Sequence, residues 1–295
     1  MPSPEKIQVT LDIINALIAE QFPQWANLKI TPVRNSGWDN ITFHLGDSML
    51  IRMPSAQCYV AQVEKEQHWL PKLAPHLPLR IPKPLALGVP NNQYPWHWSI
   101  YEWIEGAVAS KDSIDSLPDF ATDLGHFLKV LQAINTTDAP TPGAHNFYRG
   151  GLLKTYAADV EQSINILRST IDVSAVQIIW NKALSSQWQS APVWLHGDIA
   201  PGNLLTREGK LSAVIDFGCC AVGDPACDLA IAWTFFDTES RARFKAALSI
   251  DENTWARGKG WALWKALLTC AQLPGSDPSQ YTNARKVIET LLNID

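Results

Sequence analysis

Three side chains stand in an order and spacing suited to phosphoryl chemistry: Asp198, Asn203 and Asp216. The first two lie in His196-Gly197-Asp198-Ile199-Ala200-Pro201-Gly202-Asn203, the third in Ile215-Asp216-Phe217-Gly218. Transfer of a phosphoryl group from Mg-ATP asks little covalent work of a protein. It needs one carboxylate beside the acceptor hydroxyl, and ligands that hold Mg²⁺ against the phosphates. Asp198 is placed for the first task. Asn203 and Asp216 supply the oxygen donors that a small hard cation takes.

Such groups must be delivered by elements on either side. Pro192-Val193-Trp194-Leu195 is a short apolar run leading into the first motif. Arg207-Glu208-Gly209-Lys210 reads as a hairpin turn, and Leu211-Ser212-Ala213-Val214-Ile215 as the strand that ends at Asp216. A lone His-x-Asp says only that a turn is present; both motifs joined by a hairpin of this length say more.

The run from Val193 to Trp233 resembles the aminoglycoside phosphotransferase family of small-molecule kinases, distant relatives of protein kinases. The family's His-Gly-Asp…Asn is similar to His196 to Asn203. Its hydrophobic-Asp-hydrophobic-Gly is similar to Ile215 to Gly218, and its Gly-Asp-Pro…Asp-Leu-Ala to Gly223-Asp224-Pro225-Ala226-Cys227-Asp228-Leu229-Ala230. Weaker similarity extends through the N-terminal half. The resemblance implies a two-lobed kinase-like α+β fold with ATP bound in its cleft. Asp228 is then expected to brace the catalytic loop through hydrogen bonds.

The same resemblance gives the N-terminal half its roles. Asn35-Ser36-Gly37-Trp38-Asp39-Asn40 falls where a kinase keeps its phosphate loop, so Ser36 and Gly37 are expected to bind phosphate. In Met49-Leu50-Ile51-Arg52-Met53, Leu50 and Arg52 share one strand face. Arg52 stands where the family usually has a phosphate-binding lysine. Arg binds oxyanions as a bidentate fork and Lys as a point charge, so altered geometry is expected. Glu66, or alternatively Glu64, is the expected partner of Arg52. Tyr101-Glu102-Trp103-Ile104-Glu105-Gly106 resembles the hinge, with the Glu102 carbonyl and the Ile104 amide expected to meet adenine.

Periodicity places the remaining elements. A helix is expected over 6–20, with Ile7, Leu11, Ile14, Leu17 and Ile18 on one face. Strands follow near 28–34, 40–45 and 48–53, a helix over 58–74 ended by Pro75, and strands near 85–89 and 97–103. Helices are expected near 117–133, 147–170, 173–188, 226–235, 239–248, 253–271 and 278–293. Residues 1–103 therefore read as a nucleotide-binding lobe, and 104–295 as a catalytic and substrate-binding lobe.

Composition narrows the class. The chain has 295 residues, 46% hydrophobic and 18% charged, which argues for sizeable cores and against disorder. A net charge of −5 leaves no footprint for nucleic acid. The absence of a long uncharged apolar run predicts neither signal peptide nor membrane span. Five cysteines without a Cys-x-x-Cys pair suit free thiols in the cytoplasm.

Only Cys219 to Val222 separates Phe217-Gly218 from Gly223-Asp224-Pro225, too little to receive a peptide substrate. No obligatory protein partner is predicted. The expected reaction is ATP- and Mg²⁺-dependent phosphorylation of a small-molecule hydroxyl, with an aminoglycoside or macrolide as acceptor. Asp237, Glu239, Asp251 and Glu252 are either attractors of a polycation or solvated helix-end charges. The tryptophans at 233, 255, 261 and 264 are either core or a platform for a sugar ring. Three rivals stand beside this: the same chemistry on a metabolite (amino alcohol, sugar or amino acid), a nucleotide-binding regulator without turnover, and a metallohydrolase built on His196 and Asp198. The last lacks further histidines at ligand spacing.

Overall fold

The computed structural model describes residues 5–33 and 39–293. These form two compact units. The first comprises residues up to Gly106 together with Ala213–Gly218; the second comprises Ala107–Ser212 and the residues from Cys219 onward.

In the first unit, Thr10 caps helix α1 (Leu11–Gln21) by accepting from the Ile13 amide. Ile7 thus lies outside the helix, and Ile14, Leu17 and Ile18 form its buried stripe. Strands β1 (Ile30–Pro32), β2 (Asn40–Leu45) and β3 (Met49–Pro54) precede helix α2 (Val60–Leu73). Strands β4 (Pro84–Gly88) and β5 (Trp98–Glu102) follow it, and the sheet runs β1-β2-β3-β5-β4 with antiparallel neighbours. Alternation decides what each face carries. Ile51 and Met53 are fully buried with Trp98, Ile100 and the α1 stripe. Leu50 and Arg52 therefore face the other way, and the register Leu50↔Tyr101 puts Tyr101 on that same side. Ala213 joins this unit through a parallel bridge to Arg80.

The second unit is helical around a small strand core. It holds β6 (Ala107–Val108), α3 (Leu117–Gln132), α4 (Ala157–Leu167), α5 (Val173–Leu184), β7 (Val193–Leu195), β8 (Leu204–Arg207) and the start of β9 (Lys210–Val214). Then come β10 (Ala221–Gly223), α6 (Ile231–Thr234), α7 (Thr238–Leu248), α8 (Glu252–Cys270) and α9 (Tyr281–Leu292). Most of α8 is buried, with α4, α5 and α9 packed around it.

Besides α1, whose first expected residues are not helical, two stretches depart from their sequence-based spans. The stretch expected to be helical from 147 is irregular as far as the 3-10 turn Leu153–Tyr156, and α4 starts only at Ala157. Phe147 and Tyr148 take positive φ, and so does Gly150 at φ 80°. A Cβ on Gly150 would lie 2.3 Å from Leu195 Cδ2, so the loop is pressed against β7 where no side chain fits. The stretch expected near 226–235 is a 3-10 turn, Pro225–Ala230, followed by the single turn of α6. Asp224 starts it by accepting from the Ala226 amide.

Candidate active site

The second unit carries the loop that holds Asp198 and Asn203. β7 and β10 pair antiparallel, Leu195 opposite Ala221, and the chain leaves β7 into His196-Gly197-Asp198. Gly197 has φ 86°, and a Cβ there would meet the Cys219 carbonyl oxygen at 2.4 Å. Only glycine combines that backbone with that approach.

Asp228, fully buried, accepts from the amides of His196 and Gly197, both at 2.7 Å. Burial pushes its carboxyl above the usual range, against the pull of His196 and these two amides. Asp228→Ala is expected to strand both amides away from water, a loss of roughly 2–6 kcal/mol. Thermal denaturation should show Tm lowered by roughly 5–15 °C. An unchanged Tm would show that the loop does not depend on this brace.

Asp198 lies at the tip, its side chain 38% exposed. Its amide meets His196 Nδ1 at 3.2 Å. Pro201–Asn203 makes one 3-10 turn that returns Asn203 to Asp198. Asn203 Nδ2 donates to the Asp198 carbonyl at 2.8 Å and to Oδ2 at 3.1 Å. With its amide nitrogen so used, Asn203 keeps Oδ1 as an acceptor atom. Lys265 Nζ lies 3.4 Å from Asp198 Oδ1. Burial works against charge on Asp198, but Lys265, then Arg149 and His196, outweigh it and hold the carboxyl below its usual range.

The first unit carries a cation-carboxylate chain. Arg52 Nη1 donates to both Glu66 oxygens at 3.2 Å, and Nη2 to Asp216 Oδ1 at 2.7 Å. Tyr101 donates its hydroxyl to Glu66 Oε2 at 2.7 Å. Glu64 pairs instead with His97 on the surface. Burial would strip charge from Arg52, but Asp216 and Glu66 outweigh it and keep the guanidinium ionised. Asp216 has left-handed backbone, φ 66°, and a side chain 32% exposed.

Of the remaining expected residues, Glu102 ends β5 with its carboxylate paired to Arg80 at 2.7 Å. Ile104 is buried, and its amide meets no acceptor among the described residues. Ser36 and Gly37 lie outside the described residues. No cluster of three or more His, Cys, Asp or Glu able to hold a metal occurs among the described residues. Any Mg²⁺ would therefore draw on Asn and Asp oxygens supplemented by phosphate and water, which is its habit.

The acids weighed as polycation attractors are otherwise engaged. Asp237 and Asp251 cap α7 and α8, while Glu239 pairs with Arg243 and Glu252 with Lys245. Trp233, Trp261 and Trp264 are buried in the core, and the half-buried Trp255 packs against Trp233. Two elements escaped sequence reasoning. Asp224 forms a buried ion pair with Arg257, 2.6 Å, that ties the motif to α8. Arg149 stacks over Trp261 and Trp264. The Gly223-Asp224-Pro225 motif marked the acid of the first pair but not its partner Arg257, and nothing marked the second.

The sequence profile of the phosphotransferase enzyme family matches residues 29–261. No curated protein matches the sequence. Among solved structures, the GDP complex of aminoglycoside 2'-phosphotransferase-IIIa is similar at TM-score 0.74 and 18% identity, covering 97% of this chain and 99% of that one. Macrolide 2'-phosphotransferase type I is similar at TM-score 0.65 and 19% identity, covering 95% and 98%. The streptomycin-ATP ternary complex of APH(2")-IIa is similar at TM-score 0.60 and 16% identity, covering 98% and 100%. At these identities the likeness is one of fold. No helix among the described residues is long and apolar enough to cross a membrane.

Proposed function

The chain belongs to the phosphotransferase enzyme family, and on that premise we propose that it moves the γ-phosphoryl group of Mg-ATP to a hydroxyl of a small molecule. The observation that carries this reading is the Asp198 carboxylate, ionised, accessible and held by Asn203 and Lys265. Such a group accepts a hydrogen bond from an acceptor hydroxyl and aims its oxygen at phosphorus. Asn203 Oδ1 and the second oxygen of Asp216 suit Mg²⁺, whose bound charge would offset that of the phosphates. Arg52, fixed by Glu66, steadies the phosphates, with Ser36 and Gly37 capping them. The Glu102 carbonyl and Ile104 amide take the adenine. Residues 1–103 act as the nucleotide lobe and 104–295 as the acceptor lobe, working in the cytoplasm, where ATP is at hand.

Aminoglycosides and macrolides are the first acceptor classes to try, since fold relatives act on them. Capping and pairing of Asp237, Glu239, Asp251 and Glu252 favour a second reading, a metabolite of lower positive charge. The test is Mg²⁺-dependent ADP release from ATP across antibiotics, amino alcohols, sugars and amino acids. Stimulation by one class names the acceptor. ATP that fails to bind would sink the reading.

Arg52 stands where the family resemblance leads one to expect lysine. Its fork reaches Glu66 and Asp216 at once, which a single ammonium cannot reproduce. Arg52→Lys is therefore expected to raise the Kd for Mg-ATP roughly tenfold, about 1.4 kcal/mol. Equilibrium dialysis with labelled ATP measures it; an unaltered Kd would place Arg52 away from the phosphates.

A further inference from the structure

A buried guanidinium that donates no hydrogen bond among the described residues lies stacked on the indole that precedes Lys265 in the chain. Arg149 lies in the irregular loop before α4, its guanidinium 5.2 Å from the Trp261 ring centroid and 5.0 Å from that of Trp264. Its Nε is buried with no partner, and its side chain donates to nothing among the described residues. Stacking on two indoles fixes the plane of the group and leaves its N–H donors unspent. Lys265 follows Trp264 directly and lies four residues, one helical turn, beyond Trp261, on the same face of α8. Its ammonium is half-exposed and holds Asp198 Oδ1 at 3.4 Å, a contact that water screens. Lys265 thus meets the carboxylate directly, while Arg149, whose charge also favours its ionised form, stacks on the ring of the adjoining Trp264.

Orienting a hydroxyl does not require them. A buried donor left unsatisfied is destabilising unless an anion visits it. In the proposed reaction one anion must come to the Asp198 side in every turnover: the phosphoryl group in transit, whose three non-bridging oxygens carry its charge. We infer that Arg149 and Lys265 are further catalytic residues, which grip that group on the acceptor side as it is transferred. The bond from the γ-phosphorus to the β-γ bridging oxygen breaks, and ADP leaves with its electron pair. A bond from phosphorus to the acceptor oxygen forms, and the hydroxyl proton passes to Asp198 and on to solvent. The two cations neutralise charge on the non-bridging oxygens, where preorganised donors act most strongly.

The inference rests on the proposed role of Asp198, and its test needs no known acceptor. Mg-ADP with aluminium fluoride imitates the group in transit; Mg-ADP alone does not. Titration of each should show Lys265→Met and Arg149→Met binding Mg-ADP within about twofold of the parent. Both should bind the fluoride complex at least roughly tenfold more weakly, with Arg149→Lys recovering part of the loss. Should Arg149→Met fail to fold, Lys265→Met carries the comparison. Fluoride affinity unchanged in the variants, lost in step with ADP affinity, or no better than that of ADP in the parent protein would overturn the inference. A parent protein that binds no Mg-ADP would instead overturn the phosphotransferase reading beneath it.

Discussion

Asp198→Ala is expected to lower kcat roughly 10³-fold while leaving the Kd for Mg-ATP within about twofold. The two readouts part because of what the carboxylate touches. Its contacts are the Asn203 amide and Lys265, both in the same compact unit, while Arg52, Glu66 and Asp216 form a separate chain in the other. Loss of the carboxylate removes the acceptor's hydrogen-bond partner and leaves the nucleotide's cation in place. Lys265, with Arg149 and His196, holds the Asp198 carboxyl below its usual range. It is thus ionised at neutral pH, and its proposed role is to orient the hydroxyl. Asp198→Asn keeps the shape and one acceptor oxygen, so it should retain more activity than alanine. ADP release and equilibrium dialysis on the same preparations decide the matter. Equal loss of turnover and nucleotide binding would assign Asp198 to the nucleotide or to the fold.

Strand alternation and helical periodicity made the first unit readable. Period two in Met49–Met53 separates the core residues Ile51 and Met53 from Arg52, and Glu66 sits on the next helix. The 196–203 loop was legible because its residue types are dictated locally: glycine at positive φ, Asn203 five residues from Asp198. Contacts made across many residues left no local trace. Lys265 reaches Asp198 over 67 positions, and Arg257 reaches Asp224 over 33. Each looks like an ordinary helical cation until α8 is packed. The Phe147–Tyr156 stretch deceived for another reason. Its apolar spacing fits a helix, but Gly150 pressed against Leu195 and two residues at positive φ settle the backbone instead. Local pattern yielded to tertiary packing there.

Asp216→Asn should separate metal binding from structure. The residue holds φ 66°, where a side chain without local hydrogen bonding is strained. Alanine would add that strain to the loss of charge, whereas asparagine tolerates left-handed backbone and keeps an oxygen for Arg52. The Arg52–Glu66 pair, further tied to Tyr101, does not depend on Asp216. Folding should therefore survive, with Tm within a few degrees. What disappears is the anionic oxygen that competes for Mg²⁺, a hard ion that takes few ligands from protein and depends on each. Mg²⁺-dependent tightening of ATP binding is expected to fall by roughly 10- to 100-fold, with metal-free ATP affinity unchanged or slightly better. The improvement follows if Arg52, released from its 2.7 Å contact with a full carboxylate, turns toward phosphate. Titrating ATP with and without Mg²⁺ measures both quantities. Tightening by Mg²⁺ that is the same in the variant as in the parent would remove Asp216 from the metal's coordination.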